Sequence, residues 1–179
     1  MDEDLDEATR AAVAVQAGDT AAAGRFVRAT QADVWRLCLQ LGDRGEAEDL
    51  TQETYLRAFA ALPGFAGRSG ARTWLLAIAR RVCADAVRQR QRRPRTLPVA
   101  DLPDAPTVSG DLAEGIALRH AVQALDPDRR DAFVLTQMIG LTYPQAAEVC
   151  GCPVGTIRSR VARARDDLIA VAQEQRGSA

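Results

Sequence analysis

The 179-residue chain contains no lysine, so all 23 of its basic residues are arginine. It has one histidine, His120, four cysteines and only 4% aromatic residues. Each shortage removes a class of chemistry. Without lysine, no ammonium reaches a nucleotide phosphate from a glycine-rich loop and no Schiff base forms. With one histidine a His-rich metal site is out of reach, and a Ser-His-Asp triad would hang on a single position. Cys38, Cys83, Cys150 and Cys152 include no CxxC pair, and Cys-Gly-Cys beside one histidine is a poor zinc set. The longest uninterrupted apolar run, Trp74–Ala79, is six residues. A membrane-spanning helix needs ~18. The opening Met-Asp-Glu-Asp lacks the positive charge of a secretory leader. The expectation is a cytoplasmic, non-enzymatic protein with reduced thiols, and with no catalytic residue, metal or cofactor.

What is present is ordinary in bulk and uneven in distribution. An apolar share of 47% and a mean hydropathy of −0.17 suit one medium domain or two small helical ones. The net charge is only −1. Residues 1–65 hold 12 acids against 6 arginines, whereas residues 66–100 hold one acid against 9 arginines. Residues 101–157 turn acidic again, with 8 acids and 3 arginines, and 158–179 carry 5 arginines against 3 acids. Two basic islands in an acidic background are the footprint of a chain that meets phosphate in two places.

Alanine is abundant, and no alternating strand pattern occurs, so the reading is all-α. Four prolines between Pro94 and Pro106 mark an extended linker. They separate a helical domain at 8–93 from another at 111–175, with 94–110 between them. In the first domain, Thr20–Leu41 places Phe26, Val34, Trp35, Leu37, Cys38 and Leu41 at mainly helical spacing. A second helix spans Glu46 to Leu62 and stops at Pro63-Gly64. The Gly-rich stretch Pro63–Ala71 is an exposed loop. A long helix over Arg72–Arg93 then sets Trp74, Ile78, Val82 and Asp85 near one face, leaving Arg80, Arg88 and Arg90 on the remaining surface.

The second domain is better punctuated. Asp126-Pro127 is an N-cap followed by proline at the first helical position, and Gly140 suits the stop of that helix. Thr142-Tyr-Pro-Gln145 has capping-box spacing and opens a short helix through Cys150. After the turn Gly151-Cys-Pro153, a final helix runs from Val154 to Gln173. A short helix, a Gly-containing turn and a longer helix predict a helix-turn-helix. On the last helix Ile157, Val161, Ala164 and Leu168 share one face. The opposite side presents Ser159, Ala162 and Arg163, with Arg158 at its edge. Arginine reaches guanine O6 and N7 with two hydrogen bonds, and small neighbours permit close approach in the major groove. Arg160 and Arg165 flank the apolar stripe and could reach the DNA backbone.

The run GCPVGTIRSRVARARDDL resembles region 4.2 of bacterial sigma factors of the extracytoplasmic-function (ECF) group, within the sigma-70 family. Upstream, AEDLTQETYLRAF resembles the family's region 2.2, and RTWLLAIARRVCADAVRQRQRR resembles regions 2.3 to 2.4. The resemblance covers roughly residues 10–172 and keeps the family's order of motifs. It departs at Cys150, where an aliphatic residue is usual, and in an acidic extension over the first nine residues.

The resemblance implies a protein that binds core RNA polymerase and directs it to promoter DNA. It places Asp49, Gln52 and Glu53 on the polymerase clamp. Their spacings of three and four independently set them on one helix face. It implies that the basic long helix and the preceding loop capture the minus-10 element: Arg68 and Ser69 from the loop, and Arg72, Arg80 and Arg81 along the backbone. Opening a duplex needs a pocket for an unstacked base and cations along the single strand. Trp74 is open to two readings, a stacking platform for a base or core packing. The minus-35 duplex falls to Arg158, Ser159 and Arg163, with Thr156 as a phosphate contact near the helix N-terminus. The free chain is expected to be a monomer, and the family's anti-sigma proteins imply a further partner. A stand-alone helix-turn-helix regulator would explain 126–172 but leave Asp49–Glu53 without a role. A hydrolase built on His120 has almost no support.

Overall fold

The computed structural model describes residues 6–92 and 118–177, and every regular element among these residues is helical. The linker expected at 94–110 lies outside the described residues, as do residues 1–5 of the acidic extension. The remainder of that extension is helix. Asp6 accepts a hydrogen bond from the Thr9 amide at 2.8 Å and caps α1, Glu7–Gln16. Ala8, Ala11 and Ala12 form its buried side.

Asp19 starts α2, Thr20–Leu41, by accepting from the Ala21 and Ala22 amides. Phe26, Val34, Leu37 and Cys38 are fully buried along it, but Trp35 is 48% exposed and leaves the expected core set. A short 3₁₀ turn, Arg44–Glu46, leads into α3, Ala47–Ala61, which ends in a second one, Leu62–Gly64. Phe26 meets Tyr55 and Phe59 edge-on, with ring centroids 6.4 and 6.1 Å apart. These contacts lock α2 to α3. The Tyr55 hydroxyl lies 2.7 Å from Thr30 Oγ1, so its polar end is satisfied inside the contact.

Helix α4, Ala71–Arg92, packs against α1, α2 and α3. Its buried belt is therefore wider than a single stripe: Leu75, Leu76, Ala79, Val82 and Cys83 are buried, while Trp74 and Ile78 are only half-buried. Asp85 does not belong to that belt. It is exposed and bound by Arg57 at 2.9 Å and Arg88 at 2.6 Å, which hold its carboxyl below the usual range. Cys38 and Cys83 are both buried.

The second unit begins with α5 (118–124) and α6, Pro127–Phe133, whose cap is Asp126. The chain continues from α6 through a π-helical turn, Val134–Met138, to Gly140. Then follow α7, Tyr143–Cys150, and α8, Val154–Gly177. The two units do not stand apart. Helix α7 packs on α4, and a single apolar core runs from Ala8 to Val161.

Candidate nucleic-acid interface

The helix-turn-helix is built from local signals. Thr142 Oγ1 accepts from the Gln145 amide while Gln145 Oε1 accepts from the Thr142 amide, completing the expected capping box of α7. Gly151 ends that helix at φ +65°, a left-handed conformation in which any larger residue is strained. Ile157, Val161 and Ala164 are buried and fix the roll of α8 against the core, with Leu168 partly buried beside them. That roll leaves Arg158, Ser159 and Arg163 exposed on the opposite side, with Thr156 half-buried at the first turn. Arg160, which is half-buried, and Arg165, which is exposed, each have a partner within the protein. Arg160 pairs with Asp128 and donates to Cys152 Sγ at 3.6 Å, and Arg165 donates to Gln137 Oε1 at 2.7 Å.

The other basic island is divided. Arg68 and Arg81 are exposed, and Ser69 is half-buried in the loop before α4. Arg72 and Arg80 point into the contact between the two units. Arg72 Nε binds Asp33 at 2.7 Å, and its Nη2 donates to the Ile139 carbonyl at 2.8 Å. Arg80 Nε binds Asp131 at 2.5 Å. The expectation of Arg80 on the open surface is therefore corrected: α7 and α6 cover it, and the ion pair is 23% and 16% exposed on its two sides. Burial pushes the Asp131 carboxyl above the usual carboxylate range, against the pull of Arg80. Trp74 packs on Phe65 with ring centroids 5.1 Å apart, yet stays half-buried. Its indole therefore takes part in packing while part of it stays exposed.

On α3, Asp49 and Gln52 are exposed and Glu53 is half-exposed, all on one side of the helix. Glu53 is bound by Arg57 at 2.7 Å. Leu56, three residues on, is 68% exposed and extends the same face with a large apolar side chain. It was passed over in the sequence, although 49, 52, 53 and 56 make a continuous helical repeat.

The remaining candidates carry little chemistry. Burial pushes the Cys150 thiol up to about 12, so it is protonated at neutral pH. His120 is exposed on α5. Among the described residues no group of three or more metal-ligating side chains comes together, and no helix is long and apolar enough to cross a membrane.

Comparison with known proteins identifies the family. Family profiles described as Sigma-70 region 2 and Sigma-70, region 4 match residues 26–93 and 116–168. The chain is 51% identical over 172 residues to the ECF RNA polymerase sigma factor SigC of Mycobacterium tuberculosis, covering 94% of this chain and 93% of the relative. Among solved structures, CnrH in complex with the cytosolic domain of CnrY superposes with a TM-score of 0.76 at 24% identity, over 94% of this chain and 99% of that one, a likeness of fold. The sigma factor RpoE of Bartonella quintana, solved in complex with the anti-sigma factor NepR, gives a TM-score of 0.61 at 29% identity, covering 78% and 89% of the two chains. With two ordered family segments and a relative matched along nearly its whole length, the chain belongs to the ECF group of sigma-70 RNA polymerase sigma factors.

Proposed function

We propose that this sigma factor divides its work among three faces. Residues 8–93 carry two of them. Asp49, Gln52 and Glu53 on α3 dock on core RNA polymerase. Arg68, Ser69, Trp74 and Arg81 receive the opened minus-10 strand, while Arg72 and Arg80 are engaged in the contact between the units. Residues 111–175 carry the third, in which Arg158, Ser159 and Arg163 read the minus-35 duplex and Thr156 holds a phosphate. Residues 94–110 link the two units.

One observation carries this reading: a single chain joins an exposed acidic and amide face on α3 to a helix-turn-helix whose outer arginines are exposed. An acidic face suits a basic protein partner, and free guanidinium groups suit guanine and phosphate. The protein performs no covalent chemistry of its own and works in the cytoplasm as a monomer until it meets polymerase. Anti-sigma binding fits the surfaces of both units. A stand-alone regulator would leave the α3 face unused.

Run-off transcription with purified core polymerase on a genomic fragment library tests the reading. The wild-type chain is expected to give discrete start sites that core polymerase alone does not give. An Asp49→Arg/Glu53→Arg variant is expected to keep its helical content and lose both co-purification with core and all sigma-dependent transcripts. Retained co-purification would overturn the docking assignment.

A further inference from the structure

Helix α1 grips both ends of the loop that carries Arg68 and Ser69. At the entry, Gln16 Nε2 donates to the carbonyls of Leu62 at 2.8 Å and Phe65 at 2.9 Å, with Pro63 O at 3.5 Å. These carbonyls lie in and just after the turn that closes α3, where the Leu62 carbonyl also accepts from the Phe65 amide at 2.9 Å. At the exit, the Ala71 amide, one of the orphan donors at the start of α4, gives its hydrogen to Thr9 Oγ1 at 2.8 Å. The same hydroxyl donates to Asp6 Oδ2 at 3.1 Å, and Asp6 Oδ1 accepts from the Thr9 amide. A three-residue relay thus ties the cap of α1 to the cap of α4. Thr9 is 3% exposed. Gly70 lies so close to it that an added Cβ would stand 3.0 Å from Asp6 Oδ2. Between these two clamps, Phe65 rests on Trp74 across the base of the loop.

Holding a short loop at both ends removes conformational freedom that base capture would otherwise have to remove at the moment of binding. We propose that Thr9 and Gln16 are positioning residues for minus-10 recognition: acting through α1, they hold residues 66–70 in the form that receives an unstacked base. Neither side chain touches DNA in this role. The inference rests on the assignment of the loop to the minus-10 strand.

The test uses the full chain in holoenzyme with core polymerase, and a promoter that the wild-type holoenzyme selects from a genomic fragment library. Three affinities are measured: for core polymerase, for a duplex fragment ending upstream of minus-10, and for the single-stranded minus-10 non-template oligonucleotide. Thr9→Val removes the acceptor with little change of shape, and Gln16→Leu removes the donor at the exposed end of α1. Each is expected to lower affinity for the single strand about tenfold, leaving the other two affinities unchanged. Thr9→Ser, which keeps the hydroxyl, is expected to restore it. A uniform fall in all three affinities, tracking a lowered melting temperature, would assign Thr9 and Gln16 to stability alone and overturn the proposal. An Arg68→Ala/Ser69→Ala variant separates the two levels. If it loses the single strand while Thr9→Val and Gln16→Leu keep it, the bracing fails and the loop assignment stands. If it keeps the single strand, the loop assignment falls and the bracing falls with it.

Discussion

On α4, Arg72 and Arg80 have committed their guanidinium groups to Asp33, the Ile139 carbonyl and Asp131, whereas on α8 Arg158 and Arg163 face solvent. Both segments are basic in sequence, and only packing separates them. Helix α4 runs through the middle of its unit and meets α7 of the other, so cations on that side must find partners or be desolvated alone. Helix α8 is held by one apolar face and leaves its opposite face to water. A basic stretch therefore does not define a DNA surface by itself. In this arrangement the arginines of the helix-turn-helix stay exposed, while Arg72 and Arg80, two of the four arginines expected on the strand, hold the two units together.

The largest effect that sharpens this contrast lies on α8. The Arg158→Ala/Arg163→Ala variant is expected to lose about a hundredfold or more in promoter affinity, at ~1–3 kcal/mol for each arginine that reads a base. Its melting temperature should stay where it was, because neither arginine has an ion-pair partner among the described residues. Footprinting across promoter variants measures the loss. Equal weakening on every sequence would reassign the pair to phosphate contacts.

Helix α4 should respond the other way. Arg80→Ala is expected to destabilise the folded chain by about 1–3 kcal/mol, since it leaves the Asp131 carboxylate buried without its partner. Thermal or urea unfolding measures this directly. Arg81→Ala, one residue along and exposed, should change stability by no more than ~0.5 kcal/mol. If the two variants melt alike, the contrast between engaged and free cations is gone. A smaller effect is expected at the base of the recognition element. Thr142→Ala removes the cap of α7 and should cost ~1 kcal/mol of stability by the same measurement.

Local features were readable from sequence to a degree that relational ones were not. The limits of α2, the capping box at Thr142 and the buried face of Ile157, Val161 and Ala164 follow from signals within a few residues of each other. The exposed minus-35 face follows from that buried one. Arg80 shows the other case. Its partner is 51 residues away on an element in the other unit, and no period or spacing in the chain announces the pair. Trp35 failed for a related reason: its spacing suits the core, but no helix among the described residues covers that side of α2 closely. The clamps at Thr9 and Gln16 join residues 62 and 46 positions apart, so they become visible only with the loop in place.

The finest test of the contrast concerns pH. Burial is the leading influence on the Asp131 carboxyl and raises its titration above the ordinary 3.8, with the negative charge of Asp128 adding to it and Arg80 and Arg130 opposing. As pH rises through that raised value, the folded chain gives up a proton that the unfolded chain has already lost at lower pH. The contribution of Asp131 to stability is therefore fully present below the ordinary value and is lost on the alkaline side. Asp131→Asn keeps an acceptor for Arg80 and cannot titrate. The difference in melting temperature, wild type minus variant, is expected to grow as pH is lowered from neutral towards 4, and thermal scans across that window measure it. A difference that shrinks on acidification would mean that Arg80, rather than burial, governs the carboxyl. The pair would then act as a favourable ion pair at neutral pH, and Arg80 would be held more tightly than its surroundings imply.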